Sequence, residues 1–353
     1  MAGMLFGYPF NEELYSYHYK EAPDPITTAL LDSGAMVEDG EIASMVANGS
    51  DTYTVPFYDV LGGTPANYDG QTDIPIEETS GGFLQGVVWG RTQGWKARDF
   101  IYDFNRANPY ALITAKHKGF WAKQRQDKML LIATKGLFGI AKPTNDEDDP
   151  NGYIADWVDN HTLDITSTST SVGASNKLDA GTVGDAGVKA CGDRAAGAFG
   201  LTVMHSHVAR NLAKLDKLEF RKYTDPAGIQ STVQLADIDG GGLVIVWDGV
   251  PHTAATSTTA ATYTTLAFGN GFFRYAPANV DKPVEPTRNV ITNGGEDVLV
   301  TRIRETILPN GFSYTKVAGD TPSPTDAQLG TPSRWTPVVD PKCIAATRIV
   351  SNG

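Results

Sequence analysis

Few residues of this chain are spaced for chemistry. His205 and His207 flank one serine, and on a strand they would present two imidazoles on one face. Two ligands are too few for a stable metal site, and no Cys or carboxylate in the sequence completes the set. The glycine run 240–242 lacks the Lys-Ser/Thr of a phosphate loop and precedes an apolar strand rather than a helix. No Gly-x-Ser-x-Gly occurs. Cys191 has no activating neighbour in the sequence and reads as a small buried apolar residue. The acidic run 145–152 lacks the alternating oxygen ligands and distant Glu of a calcium loop and reads as a solvated loop. The many carboxylates form no recognisable acid/base pair. The expectation is therefore no catalytic residue, no cofactor site, no metal site and no enzymatic activity.

Composition narrows the class further. The 353 residues carry a net charge of −12 with a pI near 4.9, which argues against tight DNA binding by the free subunit. Two cysteines, Cys191 and Cys343, cannot build a disulfide framework. No apolar run approaches the ~20 residues of a membrane span. The first fifteen residues lack the basic region and apolar core of a signal peptide, so no secretion and no membrane partner are expected. Without secretion the sequons at 48–50 and 160–162 carry no meaning.

The element that must position the rest lies at 108–139. Asn108 is a good N-cap and Pro109 suits the first helical position. Ile113, Phe120, Leu131 and Phe138 recur so as to share one narrow helical face, and Gly136 and Gly139 supply stop signals. From Lys96 to Lys142 the chain is +7, against −12 overall. The basic residues do not form a single stripe, which argues against a dedicated nucleic-acid groove.

Around this rod the chain reads as α+β, with short strands, scattered helices and no βαβ regularity. Residues 1–52 look like an arm, with too few regularly spaced apolar residues to fold alone. Residues 53–89 form a long β-rich excursion that cannot stabilise itself in water and needs a partner. A short helix is expected at 95–106, a weak one at 185–193, and another from Ser206 carrying Val208, Leu212, Leu215 and Leu218 on one face. A strand at 243–247 should be buried on both sides. Hairpins are expected across 269–271 and 309–311, and a last strand near 344–350.

These segments, in this order, resemble the major capsid protein of tailed bacteriophages, with the Hong Kong 97 type of fold. The resemblance runs from about Tyr53 to the C-terminus. It rests on Ile74-Pro-Ile-Glu-Glu-Thr through Val87-Val88-Trp89 to Asp99, on the rod with Phe120-Trp121, and on Cys191-Gly192-Asp193 through His205-Ser206. Val244 to Pro251 followed by Leu266 to Gly271 carries it further, as do Asp326 to Leu329, Trp335 and Pro341-Lys342. The resemblance implies an N-terminal arm (1–52), an extended β-hairpin loop (53–94) and a peripheral domain with the spine helix (95–184). It also implies an axial domain (185–281), return strands of the peripheral domain (282–322) and a C-terminal axial segment (323–353).

The implied function is a structural shell of homo-hexamers and homo-pentamers enclosing double-stranded DNA, located in the virion and assembled in the bacterial host cytoplasm. Implied partners are a portal protein, a separate scaffolding protein (the chain reaches the arm at once), a decoration protein as an option, and packaged DNA through non-specific contact. Tyr53, Phe57, Tyr58, Tyr68 and Glu77 are the subunit-interface candidates. Lys116, Lys118, Lys123 and Arg125 are the candidates for facing the lumen and DNA. Some relatives link subunits through a Lys–Asn isopeptide bond, but 53–89 contains no lysine. The alternative is an encapsulin-like nanocompartment shell, which shares the fold.

Overall fold

The computed structural model of the chain describes residues 3–5, 8–10, 34–58, 61, 63–69, 71, 73–76, 78–79, 81–101, 109–167, 169–195, 198–215, 219–224, 230–238 and 242–353. Among them are two larger sheets. The eight-stranded sheet runs Thr162–Asp164, Ala346–Ser351, Thr262–Phe268, Leu201–Met204, Gly242–Val246, Gln230–Ile238, Glu219–Thr224, with His252–Thr253 added beside Thr262–Phe268. Gly242–Val246 is covered on both faces from Val244 onward, as its unbroken apolar run predicts.

The five-stranded sheet is organised by one strand, Glu296–Pro309. Along one edge it pairs with Trp89–Arg98 over ten residues. Along the other it pairs first with Val284–Asn289 and then with Phe273–Ala278. In its first half Leu299 and Thr301 are buried while their neighbours are not, the alternation of a half-covered strand. From Glu305 onward every residue is buried, so both faces are covered there.

The rod is helical over Pro109–Leu131, roughly 35 Å at ~1.5 Å per residue. It continues as a π-helix over Ile132–Leu137, with the Phe138 amide donating to the Ala133 carbonyl five residues back at 3.1 Å. Asn108, the expected cap, lies outside the described residues. The expected apolar face is corrected. Ile113, Phe120 and Leu131 are only half-buried, and the core takes Trp121, Met129, Leu130, Ile132, Ala133, Leu137 and Phe138. Two causes act together. The first turns of the rod run past the core, leaving Leu112 exposed, and the wider π turn shifts the helical phase near its end. Gly136 does not stop the helix. A Cβ there would meet the Trp335 indole at 2.8 Å, so the glycine admits that ring, whose N–H donates to the Leu329 carbonyl.

Other expectations are also revised. Trp95 to Arg98 is strand, not helix, because it pairs with Glu296–Pro309. The turn at 269–271 joins no hairpin. Thr262–Phe268 belongs to the eight-stranded sheet and Phe273–Ala278 to the five-stranded one. The turn at 309–311 likewise leads from Glu296–Pro309 to Phe312–Tyr314, which pairs with Trp335–Pro337. A further hairpin, Val284–Asn289 with Glu296–Pro309, forms where no local turn signal was read. The helix at Ser206–Lys214 buries Val208 and Leu212 but exposes Leu215, while Leu218 lies outside the described residues. Within the expected arm, Met36–Glu38 pairs parallel to Phe273–Ala278, and Ile42 and Val46 of the helix Gly40–Val46 are buried against the same sheet. Residues 11–33 of the expected arm lie outside the described residues.

The expected domain limits cut across this architecture. Phe273–Ala278, placed with the axial part, sits in the sheet of the rod, and Thr162–Asp164 sits in the other. One apolar cluster runs from Met129, Leu130 and Leu137 of the rod through Phe273 and Ile307 to Leu201, Ile245 and Phe268. The two sheets therefore share a core.

Candidate assembly surface

The excursion is a real hairpin with an irregular extension. Thr52–Tyr58 pairs antiparallel with Gly81–Val87, and Pro56 is tolerated because this ribbon has only two strands. The described residues between 61 and 79 have neither helix nor strand. Tyr58 is 91 % exposed, Tyr68 97 % and Ile76 91 %, and Leu61, Ile74 and Phe83 are exposed with them. Large apolar side chains gathered this way on one segment mark an interaction surface. The segment 53–89 also carries five acidic residues and no Lys or Arg, so any surface it meets is best neutral or basic.

The base of the hairpin is fixed to the subunit. Tyr53, 6 % exposed, opposes Gly86, and its ring lies where a Cβ on Gly86 would come within 2.2 Å of it. The Tyr53 hydroxyl lies 3.0 Å from Thr306 Oγ1, whose own proton goes to the Val87 carbonyl at 2.8 Å, so Tyr53 donates to Thr306. The Gln85 amide donates to Ser313 Oγ at 3.0 Å, and Lys316 pairs with Asp51.

The interface candidates therefore separate. Tyr58 and Tyr68 are fully presented. Phe57 is half-buried, packed over Gly82. Tyr53 is corrected to an internal anchor, because a phenol this buried and hydrogen-bonded within its own subunit has no face left for a neighbour. Glu77 lies outside the described residues.

The rod's basic residues divide in the same manner. Lys116 and Lys118 are exposed and Lys123 is half-buried. Arg125 turns inward. Its Nε donates to Glu305 Oε2 at 3.0 Å and its guanidinium stacks 4.3 Å over the Tyr275 ring. Burial pushes the Glu305 carboxyl up, and Arg125 only partly offsets this. Burial, with Glu305 beside it, pushes the Tyr275 phenol up to about 12.

One helical stripe of polar tethers emerges that the sequence reading missed. The Trp121 indole donates to Thr301 Oγ1 at 3.1 Å, Arg125 to Glu305, and Lys128 to Asp326 at 2.5 Å. The spacing is i, i+4, i+7, one face of a helix, and Thr301 and Glu305 are four apart on one face of a strand. Burial acts to raise the Asp326 carboxyl, but hydrogen bonds from Lys128 and Arg91 outweigh it and hold it low. The sequence signal was present in the spacing of Trp121, Arg125 and Lys128, but a search for apolar periodicity passes over it.

His205 and His207 do not share a strand face. His205 caps the helix that contains His207. Among the described residues, no group of three or more His, Cys, Asp or Glu is placed to hold a metal ion. Nor is any described helix long and apolar enough to cross a membrane.

Comparison with known proteins bears on this architecture. No family profile matches the chain. The major capsid protein of Bacillus phage SPP1 is 27 % identical over 319 residues, covering 90 % of this chain and 89 % of that protein. The capsid of cyanophage Pam1 superposes with a TM-score of 0.56 at 10 % identity, covering 97 % of both chains. The capsid of Ralstonia phage GP4 superposes with a TM-score of 0.52 at 11 % identity, covering 91 % of this chain and 100 % of that one. The chain has the Hong Kong 97-type capsid fold. It resembles the major capsid proteins of tailed phages over nearly its whole length, and the exposed hairpin and the tethered rod are parts of that capsid fold.

Proposed function

We propose that this chain is a structural major capsid protein that self-assembles as hexamers and pentamers into an icosahedral phage head around double-stranded DNA. The observation that carries this reading is the hairpin extension, rigid at its base and apolar at its exposed end. Such a segment gains stability by burial between subunits, and shells are held by large interfaces of that kind. Its acidic character suits a neutral or basic surface on a neighbouring copy. The rod with the five-stranded sheet forms the peripheral part, and the eight-stranded sheet forms the axial part at the capsomer centre.

Lys116, Lys118 and Lys123 are proposed to face the packaged DNA. Arg125 is removed from that set because its charge is committed to Glu305. A modest local positive charge on an acidic subunit confines DNA without gripping it. A scaffolding protein and a portal complete the set of partners, and assembly takes place in the host cytoplasm.

Expression of the full chain with its neighbouring head genes, followed by electron microscopy, tests the proposal. Closed icosahedral shells are the expected product. A protein that stays monomeric at high concentration with every head gene present overturns the assembly reading, and a shell map with the three lysines on the outer surface overturns the DNA-facing one.

A further inference from the structure

Three of the six histidines in the sequence meet where the strands Leu201–Met204 and Thr262–Phe268 end and begin, and the capsid reading leaves them without a role. The His205 ring centre lies 4.8 Å from that of His252 and 4.9 Å from that of Tyr263, and His207 stacks on Tyr263 at 4.8 Å. His205 is also the N-cap of the helix Ser206–Lys214. Its Nδ1 accepts from the His207 amide at 3.1 Å. Histidine is an unusual cap, because Ser, Thr, Asp and Asn lead there, and unlike the neutral members of that set it titrates near neutrality.

We propose that His205 is a pH-sensitive cap whose protonation releases the first turn of the Ser206–Lys214 helix.

While Nδ1 accepts from the His207 amide, the ring is neutral and its proton sits on Nε2. A second proton can only enter at Nδ1. It removes the lone pair that holds the cap and sets a cation against the positive end of the helix dipole. The groups facing His205 are Asp248 from the turn after Gly242–Val246, His252 and Tyr263 from the adjacent strands, and His207 from the helix itself. Asp248 is the alternative partner. Its Oδ1 is 3.6 Å from His205 Nδ1 and already accepts from the Ser206 amide at 2.9 Å. The new N–H therefore has an acceptor to turn to, and turning takes it off the cap. His252 and His207 oppose the cation when they too are charged. Gly353 packs beside His207 and Asn211, so a loosened first turn also removes part of the packing around it. Burial, then the two neighbouring histidines, hold the His205 imidazole below its usual range, and Asp248 works against them. The depressed value means that the unfolded turn binds the proton more readily, so the cap is intact above about pH 6.5 and is lost as pH falls.

Hydrogen exchange of the full chain, read on peptides covering 206–214 at pH 7.5 and 5.5 and corrected for intrinsic exchange rates, tests this. Protection in the wild type should fall roughly two- to thirty-fold on acidification, the range that loss of a helix cap carries. His205→Asn caps without titrating, so its protection should not change with pH. Asp248→Asn removes the acceptor for the imidazolium and should move the wild-type transition to lower pH. Unchanged wild-type protection between the two pH values overturns the proposal. So does a His205→Asn variant that loses as much protection as the wild type, since the proton would then act elsewhere. An unmoved transition in Asp248→Asn overturns the role given to Asp248.

Discussion

Arg125 and Glu305 meet at 3.0 Å between the rod and the central strand of the five-stranded sheet, with the carboxylate 2 % exposed. The sequence reading places this arginine at a DNA-facing surface. Its position instead joins two elements of one subunit. Desolvation makes such a pair weak evidence for net stability, but breaking it leaves a charge stranded.

Arg125→Ala should therefore cost about 3 kcal/mol at pH 7.5, near the lower end for a buried pair because the arginine side chain keeps some exposure. The orphaned Glu305 has its folded pKa pushed further above the unfolded one. Below about pH 4.3 both folded and unfolded states hold the proton and no charging penalty is felt, and the penalty grows as pH rises from there through the raised folded pKa. The cost should be visibly smaller at pH 5 than at pH 7.5 in urea titrations. Replacing both residues with Met should recover most of it.

The hairpin base offers a steric test. Gly86→Ala sets a methyl group against the Tyr53 ring and should destabilise the subunit by about 1–3 kcal/mol. Tyr53→Phe removes only the hydroxyl donated to Thr306 and should cost about 1 kcal/mol. Thermal unfolding of the two variants checks the order.

At the far end of the hairpin the opposite pattern is expected. Ile76→Asp changes a side chain that touches little of its own subunit, so subunit stability should move by less than about 0.5 kcal/mol. Shell formation should fail, as sedimentation and microscopy would record. An Ile76→Asp variant that assembles normally removes this segment from the interface.

His161 gives a pH test independent of the helix cap. It is fully buried, stacked on Trp157 with ring centres 4.4 Å apart, and its Nδ1–H donates to the Ala346 carbonyl at 2.6 Å. Burial holds its pKa below the usual value, so the unfolded chain takes up the proton first as pH drops below about 6.5. The residue should add up to one proton, or about 1.4 kcal/mol per pH unit, to the slope of acid destabilisation. His161→Phe should flatten that slope while lowering stability at pH 7.5 by about 1–3 kcal/mol, because the Ala346 carbonyl loses its donor.

The rod, the excursion and the strand Gly242–Val246 were legible as elements because each is written in local signals: Pro109 followed by a long run free of proline, a β-rich run with no support, an unbroken apolar stretch. The Gly-Asn-Gly turn at 269–271 was equally clear as a turn and still misled. The Gly269 amide donates to the Ala345 carbonyl and the Gly271 amide to that of Gly34, so distant segments decide where each flanking strand goes. Turn chemistry reports that the chain bends but not which sheet it joins. The tethers of Trp121, Arg125 and Lys128 were hidden for a related reason. Basic residues on a helix look solvated until the Glu and Asp that receive them, nearly two hundred positions away, are brought alongside.

Glu305 and Thr306 are successive residues of one strand and so point to opposite faces of it. The first holds Arg125 of the rod and the second holds Tyr53 at the hairpin base. The hairpin base and the rod are therefore linked through a single peptide unit. In mechanical terms the strand is a crossbar between two arms. If the proposed shell forms, tension applied by a neighbour at the hairpin base would be passed to the rod side of the subunit through this strand.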